Sequence, residues 1–372
     1  MRGELRCPLC DFRTVPSAVP LPCPACRVPL DYRPDPPADF TAAGLTGRGV
    51  WRYAPFLPAV NPVTLGEGGT PLIPSLRIGP RLGVNLLFKV EGTNPTGSFK
   101  DRGAAVLVAV LRSFGARTVA DDSSGNAGAA LAAYAARAGV RAALYVPAHA
   151  SGPKLAQIEA LGAELVRVPG PRERATDAVQ EACTADPDLL YASHNASPYF
   201  VAGLTTIAYE LGEEGRIPDH VVLPVGGGGL FLGLAHGFAQ LRERGWIGRV
   251  PRLHIAQPEA CAPLVRAGDG GDPVELDPRA TVAEGARIPR PVRGREVLAA
   301  LRAVDGDTVT VGEEEILRGQ TELAREEGIW VEPTAALAVA ALPALIARGT
   351  IKPGEEIVLP LTGHGLKAVN PR

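Results

Sequence analysis

The sequence predicts an α/β protein with two open, mostly parallel α/β domains behind a small N-terminal cysteine-pair module. Three observations carry this expectation. Along the body, short β-branched apolar runs alternate with longer alanine- and leucine-rich ones, the pattern of strands crossing over through helices. Three short runs lead into glycine-containing turns, at Ser123-Ser124-Gly125, Gly226 to Gly229 and Thr362-Gly363. Ahead of all of them stand two Cys-Pro-x-Cys pairs.

Taken in order, Cys7, Cys10, Cys23 and Cys26 offer four thiolates in two knuckles, a set suited to a closed tetrahedral zinc site. A segment ending near Tyr32 has too little core to fold without such a staple, so a zinc ribbon-like module is expected over 1–32. An empty reduced ribbon and a pair of disulfides are the alternatives, the latter disfavoured in a reducing compartment. Asp11 and Arg27 stand where a glycine often follows a knuckle's second cysteine. The proline-rich stretch 33–60 reads as a linker wrapping onto the body.

The body is expected to divide into a large domain, 61–103 with 195–372, and a small one, 104–194. In the small domain Thr118–Ala120 and Ala142–Val146 read as strands, and Ala104–Leu111, Ala127–Gly139, Lys154–Leu161 and Arg174–Cys183 as helices. In the large one Val221–Val225 and Ile357–Leu361 read as strands, with Leu230–Phe238 as a helix.

Composition excludes several classes. Of 372 residues, 38 are Lys or Arg and 40 Asp or Glu, a net charge of −2 that implies no basic surface for nucleic acid. A 46% hydrophobic content supplies sizeable cores. The sequence has no apolar run of about 18 residues and its start has no signal-peptide character, so neither membrane nor export is expected and the setting is cytoplasmic.

The candidate chemistry centres on Lys100, between Asn94-Pro95-Thr96-Gly97 and the apolar stretch from Ala104. An ammonium at the mouth of a helix, partly desolvated, loses proton affinity and becomes suited to imine chemistry; a surface lysine is the plainer alternative. Gly226, Gly227, Gly228 and Gly229 join a strand to a helix, where backbone amides can cradle a phosphate. The spacing fits a dinucleotide fingerprint poorly. Ser123, Ser124, Gly125, Asn126 and Ala127 open a second helix and can hold a carboxylate, or simply cap it. His364, between glycines in a turn, reads as structural rather than catalytic.

The Lys100 decamer resembles the cofactor-lysine segment of the fold type II, tryptophan synthase β-like pyridoxal phosphate enzymes, and of threonine synthases in particular. Leu65-Gly66-Glu67-Gly68-Gly69-Thr70-Pro71-Leu72, Ser123-Ser124-Gly125-Asn126, the four-glycine loop and Thr362-Gly363-His364-Gly365-Leu366-Lys367 follow in the family's order. The resemblance implies pyridoxal 5'-phosphate in a cleft between two domains, Lys100 as imine partner and then base, and Phe99 at the cofactor. It further implies Asn126 on the phenolic oxygen, the glycine loop on the phosphate, Thr362 on the pyridine nitrogen, and Thr96 with Ser123 to Ala127 on the substrate. A hydroxyl on that nitrogen makes a milder electron sink, suited to elimination and replacement. The expected activity is a lyase acting on a small amino acid, most simply threonine synthase, and the family allows a homodimer.

Phe200, Leu204 and Thr205 depart from the family pattern, standing where an arginine and a Gln-Lys pair help bind a phosphorylated substrate. With the dehydratase-like Ser-Ser-Gly-Asn, this keeps a serine or threonine dehydratase, or a replacement enzyme using another nucleophile, as the alternative. A catalytically silent relative of the fold ranks third.

Overall fold

The computed structural model describes residues 2–36, 41–150, 152–170, 172–215, 217–268, 270–277 and 279–368. Its strands are β1 (Glu4–Arg6), β2 (Arg13–Thr14), β3 (Asp31–Arg33), β4 (Leu72–Pro74), β5 (Asn85–Lys89), β6 (Thr118–Asp121), β7 (Arg141–Pro147), β8 (Glu164–Val168), β9 (Leu189–Tyr191), β10 (His220–Pro224), β11 (Arg252–Pro258), β12 (Thr308–Val311) and β13 (Glu356–Pro360). The helices used below are α1 (Ile78–Leu82), α2 (Lys100–Ser113), α3 (Asn126–Ala138), α4 (Pro153–Ala160), α5 (Arg172–Ala185), α6 (Pro198–Leu204), α7 (Thr206–Glu213) and α8 (Gly229–Glu243). The chain forms two compact units, one from residues up to Gly69 with Asn94–Thr206, the other from Thr70–Thr93 with Ile207–Ala368.

In the first unit β8-β7-β6-β9 form a fully parallel sheet. Helix α2 is buried along most of its length, Ala104 to Leu111, because small and β-branched side chains let it sit inside the core with α3 and α6. The contact with α6 is close: a Cβ on Gly103 would lie 2.6 Å from the Phe200 ring, and one on Gly203 would lie 2.2 Å from the Arg102 carbonyl. That packing explains why the contact division places 94–103 and 195–206 with the small sheet rather than in the expected large domain; residues 61–69, expected in the large domain too, also fall in this unit.

The cysteine module is not a free-standing bead. Leu5 and Tyr32 of its antiparallel sheet, β2-β1-β3, and Val28 and Leu30 just before β3 join the same core. Tyr199 of α6 donates its hydroxyl to the Ser17 carbonyl at 2.7 Å. Within 33–60, Val50, Tyr53, Phe56 and Leu57 are buried, so the described part of that stretch packs onto the unit; residues 37–40 lie outside the described residues. Farther on, buried Glu67 accepts the Tyr134 hydroxyl of α3 at 2.9 Å and the Leu65 amide at 2.8 Å.

The second unit carries a six-stranded sheet, β12-β11-β10-β13-β5-β4, parallel except for the antiparallel edge strand β4. Its buried strands read as continuous apolar runs, as parallel strands covered on both faces must. Lys89, fully buried at the end of β5, is paired with Glu210 at 2.9 Å and with the Thr70 carbonyl at 2.8 Å. Among the described residues no helix is long and apolar enough to cross a membrane.

A buried histidine pair in this unit has defined tautomers. His254 Nδ1 accepts the Asp307 amide at 3.0 Å, so its Nε2–H donates to His220 Nδ1 at 2.9 Å, and His220 Nε2–H donates to Glu355 at 2.9 Å. Burial, then the neighbouring His220, lowers the His254 pKa to about 3. The unfolded value is roughly 6.5, so as pH falls below it the unfolded chain takes up a proton that the folded chain refuses. This contribution to stability is complete above that value and is lost progressively toward pH 3. Denaturant unfolding between about pH 6.5 and 4 is expected to show a loss of roughly 1–3 kcal/mol from this residue, and a shallower slope in His254→Gln.

Candidate active site

Four loops of the first unit lie at the carboxyl ends of its parallel strands, the edge where open α/β sheets bind ligands. Lys100 enters from α2. The turn before it is locked by Asp101, whose buried carboxylate accepts both the Thr96 amide at 2.9 Å and the Thr96 hydroxyl at 2.8 Å. These bonds put the Lys100 backbone at the start of a helix rather than one turn inside it.

Among the described residues the Lys100 amine makes no hydrogen bond or ion pair. It lies 4.7 Å from the centroid of the Phe99 ring and 5.4 Å from that of Phe200. Burial lowers its pKa to about 8, against the pull of Asp121 and with the push of Arg172. An amine in this state is a nucleophile and a base near neutral pH.

Ser123, Ser124, Gly125, Asn126 and Ala127 run from the end of β6 into α3. Gly125 takes the N-cap position, no side chain caps the helix, and Gly125 donates its amide to Ser123 Oγ at 3.3 Å. The first amides of α3 therefore have no side-chain acceptor from the cap position. Ser123 is buried, Ser124, Gly125 and Asn126 are half-buried, and Ala127 is buried. This arrangement suits a carboxylate.

Residues that the sequence reading passed over complete this edge. Asp121 ends β6, Asp122 follows it, and His194 lies just beyond β9; all three are buried. Asp121 accepts from His194 Nδ1–H at 2.8 Å, and Asp122 accepts the hydroxyls of Thr176 and Tyr191. Burial raises Asp121 to about 6 and also raises Asp122. Burial, then the Lys100 cation, lowers His194. The available signal was an Asp-Asp pair at the carboxyl end of a predicted strand, directly before the Ser-Ser-Gly-Asn turn.

Phe200, Leu204 and Thr205 are buried. Phe200 packs edge-on to His194, ring centroids 6.0 Å apart, and Thr205 donates its hydroxyl to the Ala202 carbonyl at 2.6 Å. None of the three carries a charge.

In the second unit, Gly226 to Gly229 join β10 to α8, again with no side-chain cap on the helix. Gly228 has φ +94°, and a Cβ there would lie 2.5 Å from Val297 Cγ2. A side chain is thus excluded and the loop presents backbone. Thr362 lies just beyond β13, which pairs in parallel with β10, so both positions share one sheet edge. Thr362 is buried, and among the described residues its hydroxyl makes no hydrogen bond. His364 is occupied in the fold, its Nδ1 accepting the Leu366 amide at 3.1 Å and its backbone bridging to Val331. Within the second unit, a buried hydroxyl without a hydrogen-bond partner among the described residues and a backbone-lined loop at a helix N-terminus lie on one sheet edge, and the chemistry of these donors, like that of the Lys100 amine in the first unit, fits pyridoxal phosphate.

The four module cysteines bring their sulfurs within 4.8 Å of one another. Cys10 and Cys23 sulfurs are 3.6 Å apart, close to the roughly 3.8 Å that tetrahedral Zn–S bonds of about 2.3 Å impose. Cys7 and Cys23 each accept a backbone amide at 3.4 Å, from Leu9 and Cys26 respectively. Arg27 adopts φ +59°, the left-handed conformation that a glycine at that position would take without cost.

The family model described as "Pyridoxal-phosphate dependent enzyme" matches residues 63–363. A threonine synthase from Methanosarcina acetivorans is 39% identical over 86% of this chain and 80% of its own length. Another from Halalkalibacterium halodurans is 38% identical over 86% of this chain and 89% of its own. Among solved structures, a threonine deaminase from T.th. matches with a TM-score of 0.70 and 30% identity, over 81% of this chain and 94% of that one.

Gly228→Ala is expected to destabilise the protein by roughly 1–3 kcal/mol more than Gly245→Ala. Gly245 also has positive φ but nothing within 4 Å of an added Cβ, so comparing their unfolding midpoints separates the clash from the backbone strain.

Proposed function

Because the chain belongs to the pyridoxal-phosphate dependent enzyme family, we propose that it is a threonine synthase, converting O-phosphohomoserine to threonine and phosphate. The observation that carries the reading is Lys100: an amine at the first position of α2, without a hydrogen-bond partner among the described residues and with its pKa lowered to about 8. Relatives 39% and 38% identical over most of the chain bear that name and support the choice of reaction.

The residues divide the work. Gly226, Gly227, Gly228 and Gly229 and the start of α8 hold the phosphate of the cofactor through backbone amides. Thr362 would bond the pyridine nitrogen and Asn126 the phenolic oxygen, with Phe99 among the residues that would hold the group. Ser123, Ser124, Gly125 and Ala127 bind the substrate carboxylate, with Thr96 supporting that wall. Pyridoxal phosphate, when bound, supplies the electron sink that makes a substrate α-proton removable. Lys100 removes that proton and returns it where the reaction needs it.

One observation favours a second reading. The positions of the expected phosphate partners are a buried phenyl ring, a buried leucine and a hydroxyl already bonded to backbone. A serine or threonine dehydratase, or a replacement on a non-phosphorylated amino acid, would need none of those charges.

We propose further that Cys7, Cys10, Cys23 and Cys26 hold a structural zinc ion, and that the protein works as a cytoplasmic homodimer.

The purified holoenzyme is expected to absorb between roughly 300 and 550 nm, where Lys100-bound cofactor bands lie, and to lose the band on borohydride reduction, with the adduct on Lys100 by peptide mass spectrometry. O-phosphohomoserine should shift the band and release phosphate, and Lys100→Ala should fall to background. Keto acid from serine or threonine, without phosphate release from O-phosphohomoserine, would select the second reading. Elemental analysis should find one zinc per chain, and Cys10→Ser should lower that content and the unfolding midpoint together; a metal-free, equally stable protein would remove the zinc assignment.

A further inference from the structure

The reaction proposed above moves protons on substrate carbons and on the oxygen of the added water, and the candidate site offers two groups to move them. Lys100 serves the α-carbon. The oxygen that joins or leaves the substrate needs its own proton carrier, and Phe200, Leu204 and Thr205 carry no titratable group. His194 lies edge-on to the Phe200 ring, and the Lys100 amine is 5.4 Å from the centroid of that same ring. His194 spends Nδ1–H on Asp121, and among the described residues its Nε2 has no hydrogen-bond partner.

Asp121 itself is fully buried, and its second oxygen, Oδ1, is without a hydrogen-bond partner. Asp122 lies against the same carboxylate, and the 2.8 Å bond from His194 Nδ1–H orients the imidazole and selects the tautomer with a bare Nε2. Asp122, held by Thr176 and Tyr191, fixes the adjacent backbone. The bonds from His194 Nδ1–H to Asp121 and from the Thr176 and Tyr191 hydroxyls to Asp122 tie Asp121, Asp122 and His194 into one hydrogen-bonded cluster.

We propose that His194, oriented by Asp121, is a second acid–base group of this enzyme and acts on the oxygen at the substrate's β-carbon. As a water oxygen bonds to that carbon, the carbon's double bond breaks and its electron pair moves toward the α-carbon, while the water O–H bond breaks and its proton passes to His194 Nε2; in the dehydration direction the C–O bond breaks with its electron pair on the departing hydroxyl, which takes the proton from His194. Asp121 is the positioning residue. The inference rests on Lys100 being the reactive amine. The charged groups facing His194 are Asp121 and Asp122 from the end of β6, Lys100 from α2 and Arg172 from α5.

The test uses holoenzyme carrying His194→Asn, whose amide can keep the donor to Asp121 while removing Nε2, and Asp121→Asn. Two rates are read on whichever of O-phosphohomoserine, threonine or serine the wild type converts: exchange of the substrate α-hydrogen in deuterium oxide, and product formation. Expected for His194→Asn is exchange within about 3-fold of wild type and product formation lower by roughly 100-fold or more, partly restored by added imidazole. Equal loss of both rates, or loss of neither, overturns the proposal. Nitrogen-15 histidine spectra of the wild-type holoenzyme, with the His194 signal assigned by its absence in the variant, decide independently of turnover. The Nδ1–H tautomer, shifting to the Nε2–H form in Asp121→Asn, supports the relay, and Nε2–H in the wild type overturns it. A wild type that converts none of the three amino acids would sink the threonine synthase reading while leaving the tautomer to decide on His194; should His194→Asn fail to fold, His194→Gln takes its place in both the rates and the signal assignment.

Discussion

The close approach of α2 and α6 is the constraint on which the first unit depends. Gly103 and Gly203 let the two helices meet almost backbone to backbone, with the Phe200 ring lying on Gly103. Any side chain at either glycine would push the helices apart. The distance between Lys100 and the loop after β9 would change with it, because Phe200 touches both the lysine and His194. The core is rigid here for an ordinary reason: interiors pack at crystal-like density, and a displacement of one side chain is not absorbed locally.

Electrostatics follow from that packing. Two buried carboxylates and a buried histidine stand beside a half-buried lysine, and each is displaced in the direction that desolvation dictates: the carboxylates up, the amine and the imidazole down. The lysine therefore reaches a state in which loss of its proton near neutral pH costs little. A desolvated amine with a hydrogen-bonded carboxylate partner would have stayed an ammonium. Here Asp121 is turned to His194 instead, and the amine is bordered by phenyl rings.

The cysteine module shows the same dependence on its surroundings. Three short strands cannot bury enough apolar surface to fold alone, yet Leu5, Leu30 and Tyr32 share a core with α2, α3 and α6. The thiol cluster and the docking onto α6 thus act together, and the left-handed Arg27 is tolerated because both neighbouring elements hold the knuckle in place.

Much of this was legible in the residues. The alternation of β-branched and alanine-rich runs identified β6, β7, β10 and β13 and the helices that follow several of them, because period and propensity are local properties. The Lys100 turn, the Ser-Ser-Gly-Asn loop, the four glycines and the four cysteines were each readable, since a turn or a helix start is specified within a few residues of chain. What sequence could not supply was proximity at long range. Residues 94–103 and 195–206 belong with the small sheet because two glycines far apart in the chain allow one helix to rest on another. Asp121 and His194 become a pair only because β6 and β9 are neighbours in a sheet whose order is not the order of the chain. Local chemistry was written in the sequence; which groups share a proton was decided by the packing of strands and helices, since hydrogen bonds and desolvation act through distance in space.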